Sequence, residues 1–302
     1  MDMKKVKANG LEINVEDRGP EGAPAVLLVN GYSSTMVNWP LPLMEGLRAE
    51  GFRVIRYDNR DVGHTQKFSG IPDIGKVTKA VRAGETPDVP YRLADMAADG
   101  IGVLDALGID RAHVVGVSMG GMIVQRMAIH HPGRLLSVTS IMSTTGNPNL
   151  PPASEGAMAA LREQPASDER EVVIAHRMKG RRIYESPAYP KSDEDLRALV
   201  AAEYDHMYYP EGAVRQFAAI AGDGSRVEEL AHVRVPFLVI HGQADPLVPV
   251  EGGIDTAKAV PGARLELIEG MGHDLPVPLC ETFVRLISDH AKGAMEGMAA
   301  AD

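Results

Sequence analysis

His113-Val-Val-Gly-Val-Ser-Met-Gly-Gly121 runs directly into Met122-Ile-Val-Gln-Arg-Met-Ala-Ile-His130. The opening apolar, β-branched run suits a strand buried on both faces. The closing nine residues read as a helix. Between them, Gly116-Val-Ser-Met-Gly120 matches G-x-S-x-G. The pattern is short and occurs by chance, so its position carries the weight. A strand-to-helix junction is where a serine can be held in a sharp, strained turn with its hydroxyl exposed. Glycines flank the serine because side chains there would collide across the turn. Gly121 lets the helix approach the strand, and the helix start aims free N–H groups at the serine. The competing reading, a glycine-rich turn with an incidental serine, is set aside by the partners identified below.

Working outward, the same rhythm repeats on both sides. Residues 4–7 and 11–16 flank Asn9-Gly10 and predict a β-hairpin. Strands are predicted at 25–29, 52–57, 113–117 and 135–142, with helices at 41–50, 93–107 and 122–130 between them. After a break, strands follow at 235–240 and 263–268, with helices at 252–260 and 281–290. Alternating strand and helix predicts an α/β domain with a mostly parallel sheet and right-handed crossovers. In the break, residues 145–225, no buried-strand run occurs. Helical segments at 155–163, 169–179, 193–206 and 212–221 replace it, after Pro151-Pro152. The expected organisation is a core domain of residues 1–144 and 226–302 with an all-helical insertion at 145–225. Residues 68–90 form a second, irregular excursion, either a functional loop or a small subdomain. The small, weakly apolar residues 293–302 are expected to fray.

Composition narrows the function classes. The 302-residue chain carries a net charge of −10, which is the wrong sign for neutralising phosphates, so no nucleic-acid partner is expected. No apolar run spans a bilayer, and the N-terminal residues lack a secretory apolar core, so a cytoplasmic protein without a membrane partner is expected. The single cysteine, Cys280, forms no intrachain disulfide and fits a reducing compartment. It reads as a small core residue rather than a catalytic thiol.

A serine hydroxyl at neutral pH needs a base, and the base needs an orienting acid. Of ten histidines, His273 stands apart. It lies in the glycine-rich stretch Glu269-Gly-Met-Gly-His-Asp274 just after the last predicted strand, at the sheet edge where ligand chemistry collects. The acid belongs between serine and histidine in the chain. Asp245, in His241-Gly-Gln-Ala-Asp-Pro-Leu-Val-Pro249, follows the penultimate strand and falls on the same edge. Asp274 is a rival, ranked lower because adjacent residues rarely face each other well enough for this bond. His241 reads as a structural hydrogen-bonder.

These pieces together resemble the α/β-hydrolase superfamily over nearly the whole chain. The matching segments are Asn30-Gly31-Tyr32, Asp58-Asn-Arg-Asp-Val-Gly63, the Gly116–Gly120 elbow, Gly242 to Pro249, and Gly272-His273. Asp61 replaces the family's usual glycine, and Asn30 its usual histidine. The Arg56 to Gly63 stretch is similar to that of small bacterial carboxylesterases and anthracycline-type methylesterases with a helical cap. The resemblance implies an oxyanion hole formed by the backbone N–H groups of Met119 and Tyr32, with no metal and no cofactor. It also implies a cap over Ser118. Tyr204, His206, Met207 and Tyr208 cluster there as candidate pocket residues, with ordinary helix packing as the equal alternative. The basic run Arg177, Lys179, Arg181 and Arg182 reads as a solvated helix face.

The expected activity is hydrolysis of small or medium apolar carboxylic esters through an acyl-enzyme. Lactonase, carbon–carbon bond hydrolase and cofactor-free perhydrolase chemistry use the same triad. A non-catalytic small-molecule binder on this fold is the alternative of a different class. Epoxide hydrolases and dehalogenases use a carboxylate nucleophile, and position 118 is serine.

Overall fold

The computed structural model of the chain describes residues 3–299. Eight strands form one sheet: β1 (Met3–Ala8), β2 (Leu11–Arg18), β3 (Ala25–Val29), β4 (Arg53–Tyr57), β5 (Ala112–Val117), β6 (Leu135–Ile141), β7 (Phe237–Gly242) and β8 (Arg264–Ile268). Their spatial order is β1-β2-β4-β3-β5-β6-β7-β8. The hairpin β1–β2 joins β4 antiparallel, and from β4 to β8 every pairing is parallel. The Asn9-Gly10 turn has positive φ at both residues, as a two-residue hairpin turn requires.

Side chains alternate across the central strands, so both sheet faces must be covered. On one face Leu27, Val29, Val114 and Val138 pack against Leu93, Met96, Ile123 and Met127. These come from α3 (Leu93–Ala106) and α4 (Met119–His130). On the other, Val26, Leu28, Val115 and Ile240 pack against Leu43, Leu47, Phe283 and Ile287. These come from α1 (Leu41–Ala49) and α11 (Cys280–Ala299). The remaining helices are α2 (Ile74–Arg82), α5 (Glu155–Arg162), α6 (Arg170–Tyr184), α7 (Asp193–Met207), α8 (Pro210–Asp223), α9 (Val227–Leu230) and α10 (Val250–Ala259). Helices α5 to α8 lie between β6 and β7.

Three expectations change. Residues 68–90 contain helix α2, capped by the Asp73 carboxylate accepting from Lys76 N at 3.1 Å. That helix packs on α8: Gly222 sits under Pro87, Val89 and Val77, leaving no room for a larger side chain without adjustment. Helix α11 continues through most of the tail expected to fray, because Ala291 and Ala294 are buried; residues 300–302 lie outside the described residues. Finally, α6 runs to Tyr184 rather than stopping near Lys179, since its last turn packs against the site described next.

Candidate active site

Ser118 occupies the junction of β5 and α4 with φ 55° and ψ −120°. That left-handed backbone is unfavourable for a residue with a Cβ and is held by its surroundings. The Ser118 N–H donates to Ile141 O at 2.9 Å, and its carbonyl accepts from Gly121 N at 2.9 Å and Ser143 Oγ at 2.8 Å. The glycines are explained atom by atom. A Cβ on Gly116 would lie 2.1 Å from Gly120 O, and one on Gly120 would lie 2.1 Å from Val29 O. One on Gly121 would lie 2.4 Å from Ser143 Cβ. Ser143 was invisible as a partner in the sequence, lying beyond the neighbouring strand.

The His273 loop and the Asp245 loop converge on this serine. His273 Nε2 lies 2.9 Å from Ser118 Oγ, and its Nδ1 lies 2.7 Å from Asp245 Oδ2. The other Asp245 oxygen accepts the N–H groups of Leu247 at 2.9 Å and Val248 at 2.8 Å. Both carboxylate oxygens are thereby committed. Asp245 and His273 are buried, whereas Ser118 is half-buried and reachable. His241 Nε2 donates to Val248 O at 2.8 Å, bracing the same loop. Burial pushes its imidazole below the usual histidine value.

Asp274 faces elsewhere. Its carboxylate accepts from Ser186 N at 3.0 Å and Ser186 Oγ at 2.5 Å, and pairs with Lys191. Ser186 Oγ also accepts from Gly272 N at 2.9 Å, and His273 N donates to Tyr184 O at 2.7 Å. The Tyr184 ring stands edge-on to the His273 ring, with centroids 6.3 Å apart. The chain after α6 therefore clamps the histidine loop from the insertion side, a contact no local pattern announces.

Gly31 packs directly on Ser118: a Cβ there would lie 3.2 Å from Ser118 Cβ. Tyr32 follows Gly31 in this loop, and Met119 opens α4 directly after Ser118. Among the described residues, neither amide is engaged in a hydrogen bond. Asn30 has its own role: its Nδ2 donates to Tyr57 O at 3.3 Å and its carbonyl accepts from Asn59 Nδ2 at 3.0 Å. Ser33 N donates to Gln216 Oε1 of α8 at 2.8 Å, fixing the far side of the loop.

A cavity of about 140 Å³ opens beside Tyr32 and Tyr184. Its wall includes Arg177, Arg181, Glu203 and Tyr208. Of the four candidate pocket residues, only Tyr208 lines it. Tyr204 stacks on Tyr208, with centroids 5.1 Å apart, and its hydroxyl donates to Asp168 O at 2.8 Å. His206 turns to the core, donating from Nε2 to Asp58 Oδ2 at 2.8 Å, and Met207 is exposed. The basic run is also corrected. Arg181 points inward and forks onto buried Glu203 at 2.6 and 2.7 Å, while Lys179 and Arg182 stay near solvent. The spacing 177, 181, 184 is one helix face and could have separated these residues from Lys179.

Asp61, the residue in place of glycine, has φ 70° and lies fully buried. Its carboxylate is gripped by Arg215 of α8 at 2.9 and 3.0 Å. Gly212 of the same helix sits on its backbone, where a Cβ would meet Asp61 O at 2.0 Å. Among the described residues, no cluster of three or more His, Cys, Asp or Glu side chains is placed to hold a metal ion. No described helix is long and apolar enough to cross a membrane.

A family model of the alpha/beta hydrolase fold matches residues 24–277. The chain is similar to the rhodomycin D methylesterase DnrP of Streptomyces peucetius, 30% identical over 295 residues, covering 91% of this chain and 93% of that protein. It is similar to the rhodomycin D methylesterase DauP of Streptomyces sp. strain C5, 29% identical over 294 residues with the same coverage. In three dimensions it matches the meta-cleavage product hydrolase CumD of Pseudomonas fluorescens IP01, with a TM-score of 0.75 at 21% identity. That match covers 96% of this chain and 98% of that one.

Proposed function

Because the chain belongs to the alpha/beta hydrolase family, we propose that it is a serine esterase acting on small or medium carboxylic esters through an acyl-enzyme. The observation that carries this reading is the unbroken line Ser118 Oγ, His273 Nε2, His273 Nδ1, Asp245 Oδ2, with contacts of 2.9 and 2.7 Å. An ionised Asp245 keeps the imidazole proton on Nδ1, which leaves Nε2 free to accept the serine proton. Ser118 Oγ attacks the ester carbonyl, and the developing oxyanion is received by the N–H groups of Tyr32 and Met119. His273 then protonates the leaving alcohol. Water, activated by the same imidazole, releases the acid and restores the serine.

Helices α5 to α8 act as a cap over Ser118, and the cavity beside Tyr32 and Tyr184 receives the acyl group. Its volume is well under the roughly 300–1,000 Å³ of sites for drug-sized ligands, which favours short substrates. Esterase relatives support the reaction type. The test is turnover of p-nitrophenyl esters from short to long acyl chains, beside a peptide amide, with Ser118→Ala as the blank. Short esters should be fastest. A fluorophosphonate should label the native protein and leave the variant unlabelled. Equal labelling of both proteins, or amide cleavage faster than ester cleavage, would overturn the proposal.

A further inference from the structure

The cavity wall carries a charge imbalance. Arg177 and Arg181, one turn apart on α6, both face Glu203 of α7. Glu203 is 3% exposed and is fully used by Arg181, which meets both its oxygens. Arg177 comes only to 3.9 Å from it, and makes no closer polar contact among the described residues. Two guanidinium cations thus share one carboxylate, leaving one positive charge in a half-enclosed space. The other acidic residue of the wall, Glu163, is exposed and lies 4.0 Å from Lys179, while Asp168, outside the wall, acts on the Tyr208 hydroxyl.

Arg177 is half-buried, and the fully buried arginines, unlike it, are saturated. Arg53 forks onto Asp17, Arg60 onto Asp99 and Arg215 onto Asp61. Arg177 is instead laid over the Tyr208 ring, 5.2 Å from its centroid, and Tyr204 backs that ring. This sets the guanidinium on an aromatic platform in the cavity wall. Tyr32 lines the same space, and its phenol feels the Arg177 charge. Burial pushes that phenol up to about 12, against a smaller opposing influence of the nearby Arg177 charge, so it stays a neutral donor.

We propose that Arg177, with the Tyr32 hydroxyl, forms a seat for a carboxylate on the acyl chain of the ester, so that the preferred substrates are half-esters of short dicarboxylic acids. This rests on the esterase reading above. A planar fork matches a carboxylate's two oxygens, and the pairing gains strength away from water. The acyl side is assigned because Tyr32 also supplies an oxyanion donor, and the carbonyl held there belongs to the acyl group. The chain's net charge of −10 repels such a substrate at long range. A local, fixed cation is therefore what discriminates.

The experiment compares monomethyl glutarate with methyl pentanoate, followed by acid release, in the native protein, Arg177→Met and Arg177→Lys. The native kcat/KM ratio of half-ester to neutral ester should be at least about tenfold, the scale of one charge-assisted hydrogen-bonded pair. Arg177→Met should erase the ratio, and Arg177→Lys should restore part of it. A native preference for the neutral ester, or a ratio untouched in Arg177→Met, overturns the seat. Calorimetric binding of monomethyl glutarate to Ser118→Ala gives a readout independent of turnover. It should be present there and lost in Ser118→Ala with Arg177→Met. Binding without turnover in the native protein would sink the esterase reading and keep the seat; no binding to Ser118→Ala sinks the seat alone.

Discussion

Replacing Asp245 with asparagine isolates what the carboxylate does for His273. Asp245 Oδ1 accepts two backbone N–H groups, from Leu247 and Val248. In the variant the amide oxygen must occupy that position, because the reverse orientation would aim an NH₂ group at two donors. Each of those donors would lose its acceptor at about 1–3 kcal/mol. The amide nitrogen is therefore turned to His273 Nδ1, 2.7 Å away in the native protein. A donor there forces Nδ1 to accept, and the ring proton moves to Nε2. Nε2 then presents N–H to Ser118 Oγ at 2.9 Å and cannot take the serine proton. The expected loss in kcat is about 10⁴-fold, as for the same change in a comparable triad. At 1.36 kcal/mol per decade that is about 5.4 kcal/mol of transition-state stabilisation. The assay is steady-state hydrolysis of a short p-nitrophenyl ester, with thermal unfolding to verify the fold. Asp274→Asn is the comparator and should lose far less, because its partners are Ser186 and Lys191. A loss below about tenfold in Asp245→Asn would refute the tautomer argument. A larger loss in Asp274→Asn would transfer the role.

Arg215→Met should destabilise the fold by about 3–5 kcal/mol in urea, because it strands the buried Asp61 carboxylate. Adding Asp61→Gly should recover at least half of that, since glycine tolerates the φ of 70° without strain; a single-variant cost under about 1 kcal/mol would mean that the pair does not anchor α8. Acid should loosen the contact between α7 and the core. Burial raises the Asp58 carboxyl, but the bond from His206 and the Met36 and Asn14 donors bring it below its ordinary value of 3.8. A group lowered in the folded state contributes stability above its unfolded pKa and loses it as pH falls through the folded value. Urea midpoints should therefore fall below about pH 4, and fall less in Asp58→Asn. Parallel curves for the two proteins would assign the acid sensitivity to other carboxylates.

The sheet was legible because its strands are continuous apolar runs, such as Ala25–Val29 and Ala112–Val117, ended by glycine or a polar residue. Ser118, Asp245 and His273 could be singled out for a related reason. In a parallel sheet the loops after successive strands share one edge, so chain order predicts spatial neighbourhood. The insertion offers no such rule. The spacing of α6 separates Arg177 and Arg181 from Lys179, but which of those faces turns inward is set by its partners in α7, so Arg181 reads as a solvated cation in the sequence. His206 lies 148 residues from Asp58, and Arg215 lies 154 from Asp61. Asp61 looked like a departure from a pattern until Arg215 supplied the reason. A residue that fails a local rule can be obeying a distant one.

The attachments of the insertion also limit how it can move. Its α7 is fastened to the core through His206 and Asp58, and α8 through Arg215, Asp61, Gln216 and Ser33. The end of α6 is fastened to the histidine loop through Tyr184, Ser186 and Asp274. These are short bonds between buried or half-buried groups, and the buried ones are costly to leave unmade. Helix α5, by contrast, buries only Ala157 and is joined to the rest by fewer such contacts. Local opening follows the elements with the least buried contact. Access to Ser118 is therefore expected at the α5 edge, beside the Gln164 and Pro165 rim of the cavity. Moving α6 to α8 together would instead take the Tyr184 carbonyl from His273 N–H and, on the proposed esterase reading, release the histidine that reading uses as base. On that reading, substrate entry with His273 still aligned requires α6 to α8 to stay in place.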